Sequence, residues 1–66
     1  MKNVVKIERT IVGLTQEELA KRVDVTRQTI NALEQGKYVP STVLALKISQ
    51  VFQKKVEDIF SLEDND

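Results

Sequence analysis

Between Arg27 and Gln35 the chain carries Arg27, Gln28, Asn31 and Gln35, side chains that end in planar hydrogen-bonding groups. Ile30 and Leu33 lie three apart in the same run and mark one side of a helix as buried. Gln28, Asn31, Ala32 and Gln35 then point away from that side, and Arg27 flanks the outward face at its first turn. An Arg guanidinium can bond both O6 and N7 of guanine, and a Gln or Asn amide can bond N6 and N7 of adenine. Alanine can meet a thymine methyl. The chemistry on offer is non-covalent recognition of base edges. An ordinary solvated helix face would carry the same pattern, so the elements around it must decide.

Covalent and metal chemistry are poorly supplied. The 66 residues contain no cysteine and no histidine, which removes disulfides, thiolate ligands and the commonest general base. No nucleophile–base pair and no clustered carboxylate motif stands in their place, so an enzyme is the least expected class and neither cofactor nor metal is implied. The length allows one domain with one small core. Lys6, Glu8 and Arg9 follow at once on Val4 and Val5, unlike a signal peptide, and no apolar run approaches membrane-spanning length. A cytoplasmic protein is expected. Formal net charge is zero, yet the charges are segregated: ten basic residues face five acidic ones up to Lys55, and the remainder holds five acidic residues and no basic one. A basic body with an acidic end is compatible with a polyanionic partner. The bland reading of the tail is that it aids solubility.

The elements that must position the outward face are helical throughout. Val4 or Val5, Ile7, Ile11 and Val12 suggest a first helix, with Gly13 ending it. Thr15-Gln16-Glu17-Glu18 is a capping box opening a second helix, whose inward residues are Leu19, Ala20 and Val23. Thr26 caps a third, about 27–35, which stops at Gly36. Lys37 to Pro40 form a loop, and Ser41 can cap a fourth helix carrying Leu44, Ala45, Ile48, Val51 and Phe52 on one face. A short fifth helix turns Val56, Ile59 and Phe60 inward. There is no strand signal and no repeat. The expectation is all-α: a compact bundle of five short helices over 1–62, followed by an acidic tail, 63–66. Its core is thin for an independent domain, and apolar residues of the first helix spread over more than one face. That surplus, or Ile59, Phe60 and Leu62, could lie between subunits; small domains also leave such residues exposed.

Placing one helix in a DNA groove and bracing it with another requires a small residue at the crossing, a tight turn and apolar anchors. Counting from Gln16, Leu19 and Ala20 are fourth and fifth, Val23 eighth, Val25 tenth, Ile30 fifteenth and Leu33 eighteenth. The ninth position, at the turn, calls for a left-handed residue. Glycine fits best there, and Asp24 occupies it; Asp and Asn tolerate that conformation better than other side-chain-bearing residues.

With these spacings the chain resembles helix-turn-helix transcriptional regulators of the phage repressor and Cro type (the xenobiotic-response-element family). The resemblance is carried by Arg9, Gly13-Leu14-Thr15-Gln16-Glu17-Glu18-Leu19-Ala20, Val25-Thr26-Arg27-Gln28-Thr29-Ile30, Glu34, Gly36-Lys37, Pro40-Ser41, Leu44-Ala45-Leu46-Lys47-Ile48 and Val56-Glu57-Asp58-Ile59-Phe60. It implies a lambda-repressor-like domain that binds double-stranded DNA as a homodimer on a palindromic operator and represses by occlusion. The third helix becomes the recognition helix, with Arg27, Gln28, Asn31 and Ala32 at the bases. For Arg27 a phosphate contact is the competing role. The resemblance also implies that Gln16 meets a phosphate at the start of the second helix, joined by Thr26, Lys37 and Tyr38. Arg9 and Glu34 match residues that form an ion pair between the first and third helices.

The chain departs from the family pattern at four places. Glu8 stands where an apolar residue is usual, and Ile11 and Val12 where polar ones are, leaving the rotation of the first helix open. Gln53 replaces a frequent glycine and Lys55 a usual capping residue, so the fifth helix is expected to fray or shift. The alternative function is a protein-interaction module or antitoxin-type accessory subunit on the same fold. The acidic tail and the apolar surplus of the first helix favour it.

Overall fold

Thr15, Thr26 and Ser41 each hold an extended backbone and accept a hydrogen bond from the amide three residues on, starting three helices. In the computed structural model, which describes residues 1–66, the order is β1 (Lys2–Asn3), α1 (Val5–Ile11), α2 (Gln16–Arg22), α3 (Arg27–Glu34), α4 (Thr42–Phe52), α5 (Val56–Ile59) and β2 (Phe60–Ser61). Thr15 and Glu18 complete the expected capping box. The Thr15 hydroxyl accepts the Glu18 amide at 3.1 Å, and the Glu18 carboxylate accepts the Thr15 amide at 2.9 Å. Lys55, extended before α5, makes no such bond.

The first four helices end alike. At each end the amide after the left-handed residue bonds the carbonyl five positions back: Leu14 to Arg9, Val25 to Ala20, Lys37 to Ala32 and Lys54 to Ser49. The left-handed residues are Gly13 and Gly36, with φ of 77° and 74°, and Asp24 and Gln53, with φ of 61° and 55°. Asp24 therefore takes the strained conformation that the turn demands, and so does Gln53.

Leu19, Ala20, Val23, Ile30, Leu33, Leu44, Ile48, Phe52, Ile59 and Phe60 form one buried cluster with Val5. Two features depart from the sequence reading. β1 pairs antiparallel with β2, Lys2 opposite Ser61 and Asn3 opposite Phe60, and the Val4 amide adds a 3.0 Å bond to the Ile59 carbonyl. Strands of two residues are too short to leave an alternating pattern, so this clasp had no sequence signal. α1 also turns differently from its apolar pattern. Ile7, Ile11 and Val12 are exposed (59%, 70% and 45%), while Val5 and Glu8 are buried. The inward face of α1 is largely ionic: the Glu8 carboxylate meets Lys54 Nζ at 2.9 Å, and Arg9, one residue on, reaches α3. Hydrophobic periodicity cannot detect a face held by charges. No helix is long and apolar enough to cross a membrane.

Candidate nucleic-acid interface

Ile30 and Leu33 are fully buried, and they seat α3 against Leu19 and Ala20 of α2 and against Val23 at its end. The carboxyl end of α3 is tied twice more. Arg9 Nε lies 2.7 Å from Glu34 Oε2 and its Nη2 3.2 Å from Oε1, a two-pronged ion pair, while its Nη1 donates to the Leu14 carbonyl at 2.8 Å. The Glu34 side chain is 4% exposed and that of Arg9 13%. Hydrogen bonding to Glu34 raises the Arg9 pKa above its ordinary value despite burial, so the guanidinium stays charged. Asn3 supplies the other tie: its Nδ2 donates to the Leu33 carbonyl at 2.8 Å, and its Oδ1 accepts the Val5 amide at 3.1 Å. The sequence reading missed Asn3. The one available signal was an Asn two residues ahead of the first helical run.

On the opposite side of α3, Arg27, Gln28 and Asn31 are exposed and Ala32 is half-buried. Arg27, Gln28 and Asn31 line a shallow polar cleft with Gln16, and a neighbouring depression joins Arg27 to Arg9, Thr15, Gln16 and Glu17. Arg27 enters no ion pair. Its guanidinium is free to bond an external acceptor at the mouth of both hollows. The helix runs about 12 Å, so its outward side chains could span several base steps.

The residues expected at phosphates are placed unevenly. Gln16 opens α2, but its side-chain amide turns toward α3: Nε2 donates to Glu34 Oε1 at 3.0 Å and to Asn31 Oδ1 at 3.3 Å. Both amide hydrogens are engaged inside the protein. The backbone N–H groups of the first turn of α2 are what that end can offer an anion. The Thr26 hydroxyl accepts the Thr29 amide at 3.2 Å and lies 3.0 Å from the Thr29 hydroxyl, capping α3 while remaining exposed. Lys37 and Tyr38 are exposed just beyond the carboxyl end of α3. The geometry brings Gln16, Arg27, Gln28 and Asn31 into one hollow and leaves Lys37 and Tyr38 outside it.

A helix-turn-helix family model of the Cro/C1 type matches residues 5–59, from the start of α1 to the end of α5. The chain is similar over its whole length to an uncharacterized HTH-type transcriptional regulator of Methanocaldococcus jannaschii, 54% identical over 66 residues with both proteins fully covered. It is 55% identical over 64 residues to the uncharacterized HTH-type transcriptional regulator YgzD of Bacillus subtilis, with 97% of each chain covered. A third relative, an uncharacterized HTH-type transcriptional regulator of Archaeoglobus fulgidus, is 52% identical over 66 residues, covering 100% of this chain and 93% of the relative.

Proposed function

Because the chain belongs to the Cro/C1-type helix-turn-helix family of transcriptional regulators, and so to DNA-binding proteins, we propose that it reads one specific double-stranded sequence by laying α3 in the major groove. One observation carries this reading: Arg27, Gln28 and Asn31 stand exposed on a helix whose other side is fully buried. A rigidly seated helix presents its side chains without the entropic loss that a mobile one would suffer. Arg27 bonds guanine or a phosphate, Gln28 and Asn31 bond base edges, and Ala32 packs near a thymine methyl. The first turn of α2 at Gln16, with Thr26, Lys37 and Tyr38, contacts the backbone and sets the register.

One domain of this size supplies few base contacts. Two copies on a palindrome, with half-sites about 34 Å apart, would bring affinity into a useful range. The protein then acts in the cytoplasm as a homodimeric repressor, occluding a promoter that overlaps its operator.

Selection of bound sites from a random duplex library tests DNA binding, half-site spacing and symmetry together. Gln28→Ala should weaken the selected site by about 1–3 kcal/mol and relax preference at one position. Affinity should fall with rising salt as phosphate contacts are lost. Equal affinity for every sequence, unchanged by Gln28→Ala, would sink the specific-reader proposal.

A second reading, a protein-interaction module or antitoxin-type subunit, is favoured by the exposed Ile7 and Ile11 on the outer face of α1. Recovery of one stoichiometric protein partner with no operator would support it instead.

A further inference from the structure

We propose that the Arg9–Glu34 ion pair fixes the hydrogen-bonding polarity of the reading face, so that Asn31 meets its base as a donor only. This rests on the DNA-reading role of α3 proposed above. The chain of reasoning starts inside the protein. Both Glu34 oxygens accept from the Arg9 guanidinium in a two-pronged ion pair, and the oxygens of such a carboxylate have no proton to donate. The Gln16 atom 3.0 Å from Glu34 Oε1 must therefore be its amide nitrogen. The second hydrogen of that nitrogen points to the Asn31 side chain at 3.3 Å, so the atom of Asn31 that faces it must be the carbonyl oxygen. Gln35 donates to the same oxygen at 3.3 Å. The amide of Gln35 is otherwise free, so it follows the orientation of Asn31 rather than setting it.

The outcome is that Asn31 turns its oxygen inward and its NH2 group outward. An Asn that pairs bidentately with adenine must present both its oxygen and its nitrogen. Asn31 can present only the nitrogen unless its bonds to Gln16 and Gln35 break. Its match on a base edge is an acceptor with no donor beside it: O6 and N7 of guanine, or O4 of thymine. Adenine accepts at N7 but sets its N6 donor against the Asn31 NH2, and cytosine offers only the N4 donor, so both are disfavoured at that position. Gln16 is thus a positioning residue for specificity, whatever its backbone amide does at a phosphate.

The experiment takes the selected operator and places all four base pairs at each half-site position in turn. Asn31→Ala identifies the position that Asn31 reads, as the one whose preference disappears. Wild-type protein should favour guanine or thymine over adenine there by at least roughly fivefold, the lower end of what one good base contact discriminates. Gln16→Ala should lower affinity for all sites alike and bring adenine to within roughly twofold of the favoured base, since Asn31 is then free to rotate. Adenine preferred by the wild type, an unchanged ratio in Gln16→Ala, or no position dependent on Asn31 would overturn the inference. If the wild type shows no preference at any position, the reading role of α3 falls with it; adenine preferred at the Asn31 position with other preferences intact removes this inference alone. A measurement without DNA adds an independent check. In the free protein the side-chain NH2 of Gln16 should exchange with water more slowly than that of the exposed Gln28, and equal rates would contradict the relay.

Discussion

Asp24 and Gln53 hold backbone conformations that Gly13 and Gly36 hold at the equivalent helix ends. A Cβ in the left-handed region costs roughly 1–2 kcal/mol, less for Asp than for most residues, and glycine offsets part of its gain by a more flexible unfolded chain. Gln53→Gly should therefore raise stability by up to about 1 kcal/mol in urea unfolding, and Asp24→Gly by less. Asp24→Gly should also leave the selected DNA sequence unchanged. A Gln53→Gly protein less stable than the wild type would show that the side chain contributes more than the turn strain takes away. The strain at Asp24 was legible in the sequence, because the spacing of Val23, Val25 and Ile30 leaves one residue to make a tight turn. The inward turn of the Gln16 amide was not, since it depends on Glu34 and Asn31, eighteen and fifteen positions away.

Helices whose starts and faces are written in local residues were read with their roles intact. Thr15, Thr26 and Ser41 cap α2, α3 and α4, and their apolar stripes face the core. α1 was less legible because Glu8 and Arg9, two of its inward residues, find their partners 46 and 25 positions along the chain. The capping box of α2 also carries a pH dependence. The Thr15 backbone amide, and then its hydroxyl, hold the Glu18 carboxyl below the ordinary glutamate range. Its folded pKa is thus lower than its unfolded one, so its contribution is present above the unfolded value and is lost as pH falls through the folded one. Melting temperatures of wild type and Glu18→Gln should differ most near neutrality and converge as pH drops from about 6 to about 3. A gap that stays constant over that range would rule out the charged cap as its source.

The molecule measures 32 × 22 × 20 Å along its principal axes. The proposed palindrome would need two copies to present their α3 helices about 34 Å apart, close to the long dimension of one copy. An apolar groove among Met1, Val39, Pro40, Ala45, Leu46, Val56 and Phe60 shares no residue with the reading cleft. We propose this groove, rather than the outer face of α1, as the dimer contact, since a second copy seated there leaves Arg27 and Gln28 uncovered. Leu46→Glu should then give a monomer in sedimentation equilibrium and reduce affinity for the full palindrome toward that of a half-site. Ile11→Glu should leave the dimer intact. Dimers that survive Leu46→Glu but not Ile11→Glu would move the interface to α1. Nothing in the sequence distinguished these surfaces: both are built from apolar residues, and only the fold shows which ones share a concavity.

The clasp of β1 on β2 sets when the domain can first be complete. Asn3 can hold the Leu33 carbonyl in place only where β1 lies, and β1 is held there by Phe60, Ser61 and the Ile59 carbonyl. A chain in which α2 and α3 have formed can therefore carry the entire helix-turn-helix segment while the far end of α3 is still unfastened. Contacts between such distant positions form late. The proposed reading helix is therefore fully fastened only once β1 and β2 have paired, so the two ends of the chain, and not the helix-turn-helix segment itself, decide when the domain is complete.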